Sequence, residues 1–211
     1  HSLADGSGGM FLLLTVTAQY LGLLGHPIPP SGYVLDINET PAAKELEDSY
    51  IKYANSKVHR PRGQERAYRV RGTTEPFYTL NIICGVMSTK EVIGVAKSYG
   101  ASITEYLNAA LLYSLLQKQK AEHPFRERPV KLAMPVNLRR FFPSDTLRNF
   151  ISMVYPSIDP RLGDYTFEEI LLQVHHYMRY YINAKFLNGD ITTNLSIQTN
   201  PVARLIPLFL K

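Results

Sequence analysis

The stretch GHPIPPSGY, residues 25–33, places three prolines and two glycines in nine positions. Each proline removes a backbone donor and fixes φ, so neither a helix nor a central strand can run through it. The segment before it is therefore bounded on its C-terminal side. Met10, Leu13, Leu14, Thr17 and Leu21 recur at helical spacing, and Gly22 and Gly25 supply stop signals. A first helix is predicted over Gly8 to Leu24, followed by an extended linker.

Beyond the linker the pattern changes several times. ETPAAKELEDSYIKYAN offers Thr40 as an N-cap with Pro41 at the first helical position, which predicts a short polar helix. FYTLNIICGVM is rich in branched and aromatic residues and predicts a buried strand from Phe77 to Met87. Three Ser/Thr-x-x-Glu patterns then announce helix starts: Ser88 with Glu91, Ser102 with Glu105, and Thr166 with Glu169. The last of these opens one continuous helix, TFEEILLQVHHYMRYYINAKFL. RPVKLAMPV and NFISMVYPSID read as strands joined by a basic loop, NLRRFFPSDTLR. Strand, helix, helix, strand, strand, helix is the order expected of an α/β (α+β) chain in which a mixed sheet is flanked by helices.

Composition narrows the function classes. Hydrophobic residues make up 45% and charged residues 19% of the 211, too apolar for a disordered tail. The most apolar stretch, MFLLLTVTAQYLGLLG, is interrupted by Thr15, Thr17 and Gln19 and falls short of a membrane span. No signal-peptide pattern is present, so a cytoplasmic location is expected. The single cysteine, Cys84, excludes an internal disulfide and reads as a buried small hydrophobe. The net charge of +5 is concentrated in KVHRPRGQERAYRVRG, residues 57–72. That run could meet an anionic ligand, but it lacks the aromatic interleaving of a single-strand binder. It is expected to be a solvated linker, with no nucleic-acid partner.

The chain opens on HSLADGSGG. A phosphate-binding loop would need Lys followed by Ser or Thr after the glycines, where Met10 and Phe11 stand. The glycine spacing is also wrong for a dinucleotide fingerprint. His1 and Asp5 lack a nearby third metal ligand, so no metal is expected. A helix cap by Asp5 or Ser7 is compatible with the pattern.

The same residues form H-x-x-x-D-G. This resembles the active-site motif of the thioester-dependent acyltransferase superfamily, which includes chloramphenicol acetyltransferase, plant BAHD acyltransferases, alcohol O-acetyltransferases and peptide-synthetase condensation domains. A second segment strengthens the resemblance. Val136, Asn137, Arg139, Pro143 and Asn149 in PVNLRRFFPSDTLRNF occupy the positions of the family's V-[ND]-x-R segment and the proline and asparagine that follow it. The helix pair in STKEVIGVAKSYGASITEYLNAALLYSLL is similar to the one that begins the family's second domain. The resemblance implies a chloramphenicol-acetyltransferase-like layered fold, incomplete at both ends. Residues 1–25 would be the C-terminal part of a first subdomain carrying the motif, 26–72 a crossover linker with a short helix, and 73–211 a truncated second subdomain. The missing remainder of its own chain would be a partner.

The resemblance also implies a chemistry. An acyl group would pass from a thioester, acyl-CoA or acyl-phosphopantetheine on a carrier protein, to a hydroxyl or amine acceptor. Neither of these cosubstrates would be a permanently bound cofactor. His1 would be the general base, since a neutral imidazole titrates near working pH. Asp5, with Gly6 behind it, would turn away from substrate and pair with an arginine to hold the loop, Arg139 first and Arg140 second. A bidentate guanidinium would restrain that loop best. Gly6, Gly8 and Gly9 would allow close approach of backbone or ligand. Asn149 would position the loop or begin the next strand. The alternative is a non-catalytic binding or interaction domain with a condensation-domain-like fold. His175 and His176 are adjacent on a predicted helix, so their side chains diverge by about 100° and cannot share a metal. They are expected on a helix surface or in the core. The tyrosines of HHYMRYY are expected to pack. His26, His59 and His123 carry no assignment.

Overall fold

The computed structural model describes residues 4–55, 65–122 and 125–199. The chain divides into two compact units. The first takes the described parts of His1–Pro61, Pro135–Ser152 and Asn183–Lys211; the second takes those of Arg62–Met134 and Met153–Ile182. Helices dominate, accompanied by small antiparallel sheets, so the chain belongs to the general α/β class.

The first unit begins with helix α1, Gly6–Leu23. The linker after it folds back, because the amide of Leu35 donates to the buried Thr15 hydroxyl at 2.9 Å. Two short helices follow, α2 at Ala43–Leu46 and α3 at Ser49–Tyr53. The expected start at Thr40 and Pro41 is displaced: Ala42 is the N-cap of α2, and its amide donates to Glu45. Glu47 then leaves helical geometry and Asp48 caps α3, so one predicted helix becomes two.

The second unit is built around α4, Thr89–Ser98, and α5, Ile103–Ala121. Four strands follow in chain order: β1, Val130–Lys131, within this unit; β2, Met134–Asn137, and β3, Ile151–Val154, each divided between the two units; and β4, Ser157–Ile158, within this one. β1 pairs antiparallel with β4, Val130 opposite Ile158, while β2 pairs with β3. Helix α6, Phe167–Tyr181, lies on α5, and Leu112, Leu116, Val130, Ile158, Ile170 and Val174 form the core. Gln119 is buried there. Its amide clamps Arg128 by accepting from the backbone N–H at 3.0 Å and donating to the carbonyl at 2.9 Å. The boxes at Ser102 and Thr166 close in both directions.

Two expectations fail for physical reasons. The long C-terminal helix breaks at Ile182, because the Asn183 carboxamide accepts from the amide of Phe186 and caps a new helix, α7, Ala184–Thr199. The expected buried strand over 77–87 is irregular and exposed, with Phe77, Tyr78, Ile83 and Val86 each more than nine-tenths accessible. A strand is stable only where a neighbouring strand takes its backbone groups and something covers its apolar face. Among the described residues no element does either for this segment. Cys84 within it is exposed, not buried.

Candidate functional site

The first unit gathers Asp5, the segment 137–150 and α3 into one polar cluster. Asp5 is the N-cap of α1, and its backbone is extended so that its carboxylate can reach back over the first turn. Oδ1 accepts from the amides of Ser7 at 3.0 Å and Gly8 at 3.1 Å. Oδ2 accepts from Arg139 Nη1 at 2.6 Å and from the amide of Phe150 at 2.9 Å. The side chain is 1% exposed. Burial by itself would push its pKa up. The hydrogen bonds from Arg139, Phe150 and Gly8 and the guanidinium charge outweigh that, and the carboxyl sits below its ordinary value.

Arg139 follows β2 in a short 3-10 turn started by Asn137, whose Oδ1 accepts from the Arg139 amide at 3.0 Å. Its guanidinium meets Asp5 through one nitrogen, not the bidentate fork that was expected. The other donors serve backbone: Nε and Nη2 bond the carbonyl of Thr146 at 3.1 and 2.7 Å, and Nη2 bonds that of Arg148 at 2.7 Å. The group therefore ties the cap of α1 to the turn before β3. A lysine has no planar set of donors to do the same.

Close approach falls on a single glycine. A Cβ on Gly8 would stand 2.1 Å from the carbonyl oxygen of Leu147, whereas Gly6 and Gly9 have open space at that position. Gly8→Ala is thus expected to force α1 away from residues 146–148 and to cost about 1–3 kcal/mol. Urea unfolding checks this, with Gly9→Ala as the control that should not destabilise. An unshifted midpoint for Gly8→Ala would refute the steric argument.

Helix α3 supports the loop from the other side. The Tyr50 hydroxyl donates to the Ile151 carbonyl at 2.7 Å and accepts from its amide at 2.9 Å. Burial pushes this phenol up, keeping the proton that the bond to Ile151 needs. The ring of Tyr50 meets Phe150 edge-on at 5.3 Å. Thr146, buried, donates to the carbonyl of Glu47 at 2.8 Å. From α7, Asn188 donates to the Tyr53 carbonyl at 2.6 Å, and Thr192 accepts from the amide of Asn55 at 2.8 Å.

The structure thus brings Asp5 and Arg139 together. Gly6 is the first residue of α1, and Asn149 is half-buried between Arg148 and Phe150, just ahead of β3. Arg140 ends the 3-10 turn, with Arg139 in contact with Asp5 instead. His1 lies outside the described residues, as do His59 and His123. Sequence reasoning missed Thr146, Phe150 and Tyr50. Thr146 and Phe150 meet Arg139 and Asp5 through backbone groups, which any residue carries, and leave no mark in the letters. In the second unit, His175 Nδ1 lies 3.2 Å from Glu105 Oε1, and its ring meets that of His176 at 5.6 Å. Glu105 also closes the Ser102 cap, so this pair joins α6 to the start of α5. Among the described residues no group of three or more His, Cys, Asp or Glu could hold a metal ion, and no helix is long and apolar enough to cross a membrane.

Comparison of the chain with protein-family models and with curated proteins finds no match in either.

Proposed function

We propose that the chain is a segment of a thioester-dependent acyltransferase with a chloramphenicol-acetyltransferase-like layered fold, in which His1 is the general base. The observation that supports this is the ion pair between Asp5 and Arg139. These residues stand 134 positions apart in the two segments that carry the family resemblance, and they meet at 2.6 Å. The four donors on Asp5 fill both of its oxygens, so it holds the loop and cannot act as the base. By the family resemblance, the proton acceptor is the histidine four residues upstream, His1.

In the proposed reaction, the imidazole of His1 removes the proton of an alcohol or amine as that nucleophile bonds to the thioester carbonyl carbon. The tetrahedral intermediate collapses with loss of thiolate, which takes the proton from the imidazolium. The donor is acyl-CoA or a carrier-bound acyl-phosphopantetheine. The exposed apolar side chains of α1, among them Leu12, Leu13, Val16 and Leu23, support further chain packed against this helix.

The test is acceptor-dependent release of free thiol from a panel of acyl-CoA donors by the complete protein. Release above the rate in buffer is expected for at least one donor and acceptor pair. A panel of short-, medium- and aromatic-acyl donors with alcohols and amines, none turned over, would favour the non-catalytic binding domain.

A further inference from the structure

The described part of the basic run, residues 65–72, is anchored to its surroundings. Within the second unit it is pinned at Tyr68, whose amide donates to the Pro129 carbonyl at 2.9 Å and whose hydroxyl donates to Glu122 at 2.8 Å. The Tyr68 ring packs against the core. Lys131 reaches back to the Glu65 carbonyl at 3.0 Å. With Tyr68 turned inward, its arginine neighbours stay at the surface, beside a cleft of about 700 Å³.

Arg66, Arg69, Arg71, Arg128 and Lys131 line this cleft, together with one acidic residue, Glu65. Glu65 is already engaged: Arg161 grips both its oxygens, at 2.7 and 3.0 Å. Among the described residues no carboxylate forms an ion pair with Arg66, Arg69 or Arg128. Five cations lining one cleft against a single lining carboxylate, itself gripped by Arg161, give the cleft a net positive charge that its walls focus. Guanidinium groups match phosphate oxygens in geometry as well as in charge. Leu132, Ala133 and Tyr155 add apolar wall, and the volume is that of a small-molecule site, not of an extended groove.

We infer that this cleft binds a nucleotide-type ligand: a phosphoanhydride, held by the arginines, attached to a base or similar apolar group lying against Leu132 and Tyr155. The inference stands on the second unit alone and does not depend on the acyl-transfer reading. A free nucleotide and the nucleotide end of coenzyme A share this chemistry.

Calorimetric titration of the complete chain with ADP, coenzyme A and inorganic pyrophosphate tests it, alongside a single-stranded 20-mer oligonucleotide. Binding of ADP or coenzyme A, tighter than pyrophosphate, is expected. Arg69→Ala and Arg128→Ala should each weaken it about tenfold, by loss of a charged hydrogen-bonding partner. Lys97→Ala, which removes an exposed cation on α4 outside the cleft, should leave it unchanged. Coenzyme A binding tighter than ADP would identify the acyl carrier as the source; equal binding would identify a free nucleotide. Circular dichroism of the variants separates lost binding from lost folding. The inference is overturned if neither nucleotide binds at millimolar concentration, if Lys97→Ala weakens binding as much as the cleft variants do, or if the oligonucleotide binds more tightly than both nucleotides at the same salt.

Discussion

Replacing Arg139 with alanine is expected to lower the unfolding free energy by about 3–5 kcal/mol, because it leaves the Asp5 carboxylate buried without its cation. The loss extends beyond the ion pair. The carbonyls of Thr146 and Arg148 give up the donors that now hold them, and the cap of α1 loses its tie to the β3 approach. Arg139→Lys should recover only part of the stability, since an ammonium can meet Asp5 but not both carbonyls in the same plane. Removing both partners together should cost less than the sum of the single changes, as expected where each single variant strands a charge. Urea unfolding followed by circular dichroism compares these variants with wild type, and a loss below about 1 kcal/mol for Arg139→Ala would place the pair with ordinary surface contacts.

Acid sharpens the same experiment. Asp5 has a folded pKa below its unfolded value, so its contribution is fully present above about pH 3.9 and is lost as pH falls through the folded value. The gap between wild type and Arg139→Ala should therefore narrow in acid and close as pH falls through the lowered folded value, where wild-type Asp5 takes up its proton. A gap that stays constant through that range would mean the carboxylate charge is not what Arg139 stabilises.

The largest effect on rate is expected at His1. In the complete protein, His1→Ala should reduce thioester-dependent turnover about 10²–10⁴-fold, the usual worth of a positioned proton acceptor. The acidic limb of the rate profile should vanish with it, since a histidine base must be neutral to accept a proton. Thermal unfolding should be nearly unchanged, which distinguishes His1 from Asp5 and Arg139. Turnover within about twofold of wild type would remove His1 from the chemistry and shift the proposal to the binding-domain reading.

What could be read from the letters was chiefly what is local. Ser102 with Glu105 and Thr166 with Glu169 satisfy each other within one turn, so three residues of sequence contain the whole interaction. Asn183 carries a comparable capping signal, but it sits inside a run of good apolar periodicity, which masked the break before α7. The segment 77–87 illustrates the opposite case. Its branched and aromatic residues record a preference for a pleated, covered surface, and that preference cannot act without a neighbouring strand. At the candidate site, the partnership of Asp5 with Arg139 was accessible only through resemblance, because nothing in composition or spacing links residues 134 positions apart. Among the three glycines of the opening motif, only contact with Leu147 marks Gly8 as the one with no room for a side chain.

The hydroxyl of Tyr50 has a consequence for how this chain behaves in company. Ile151 directs its amide and its carbonyl to that single oxygen, so both of its backbone groups are occupied by a side chain and not by another strand. An open strand edge is a template on which further chains can assemble. Here the start of β3 is closed by a phenol that a second molecule would have to displace. Tyr50 thus protects against edge-to-edge aggregation at the point where the Asp5 loop meets the sheet.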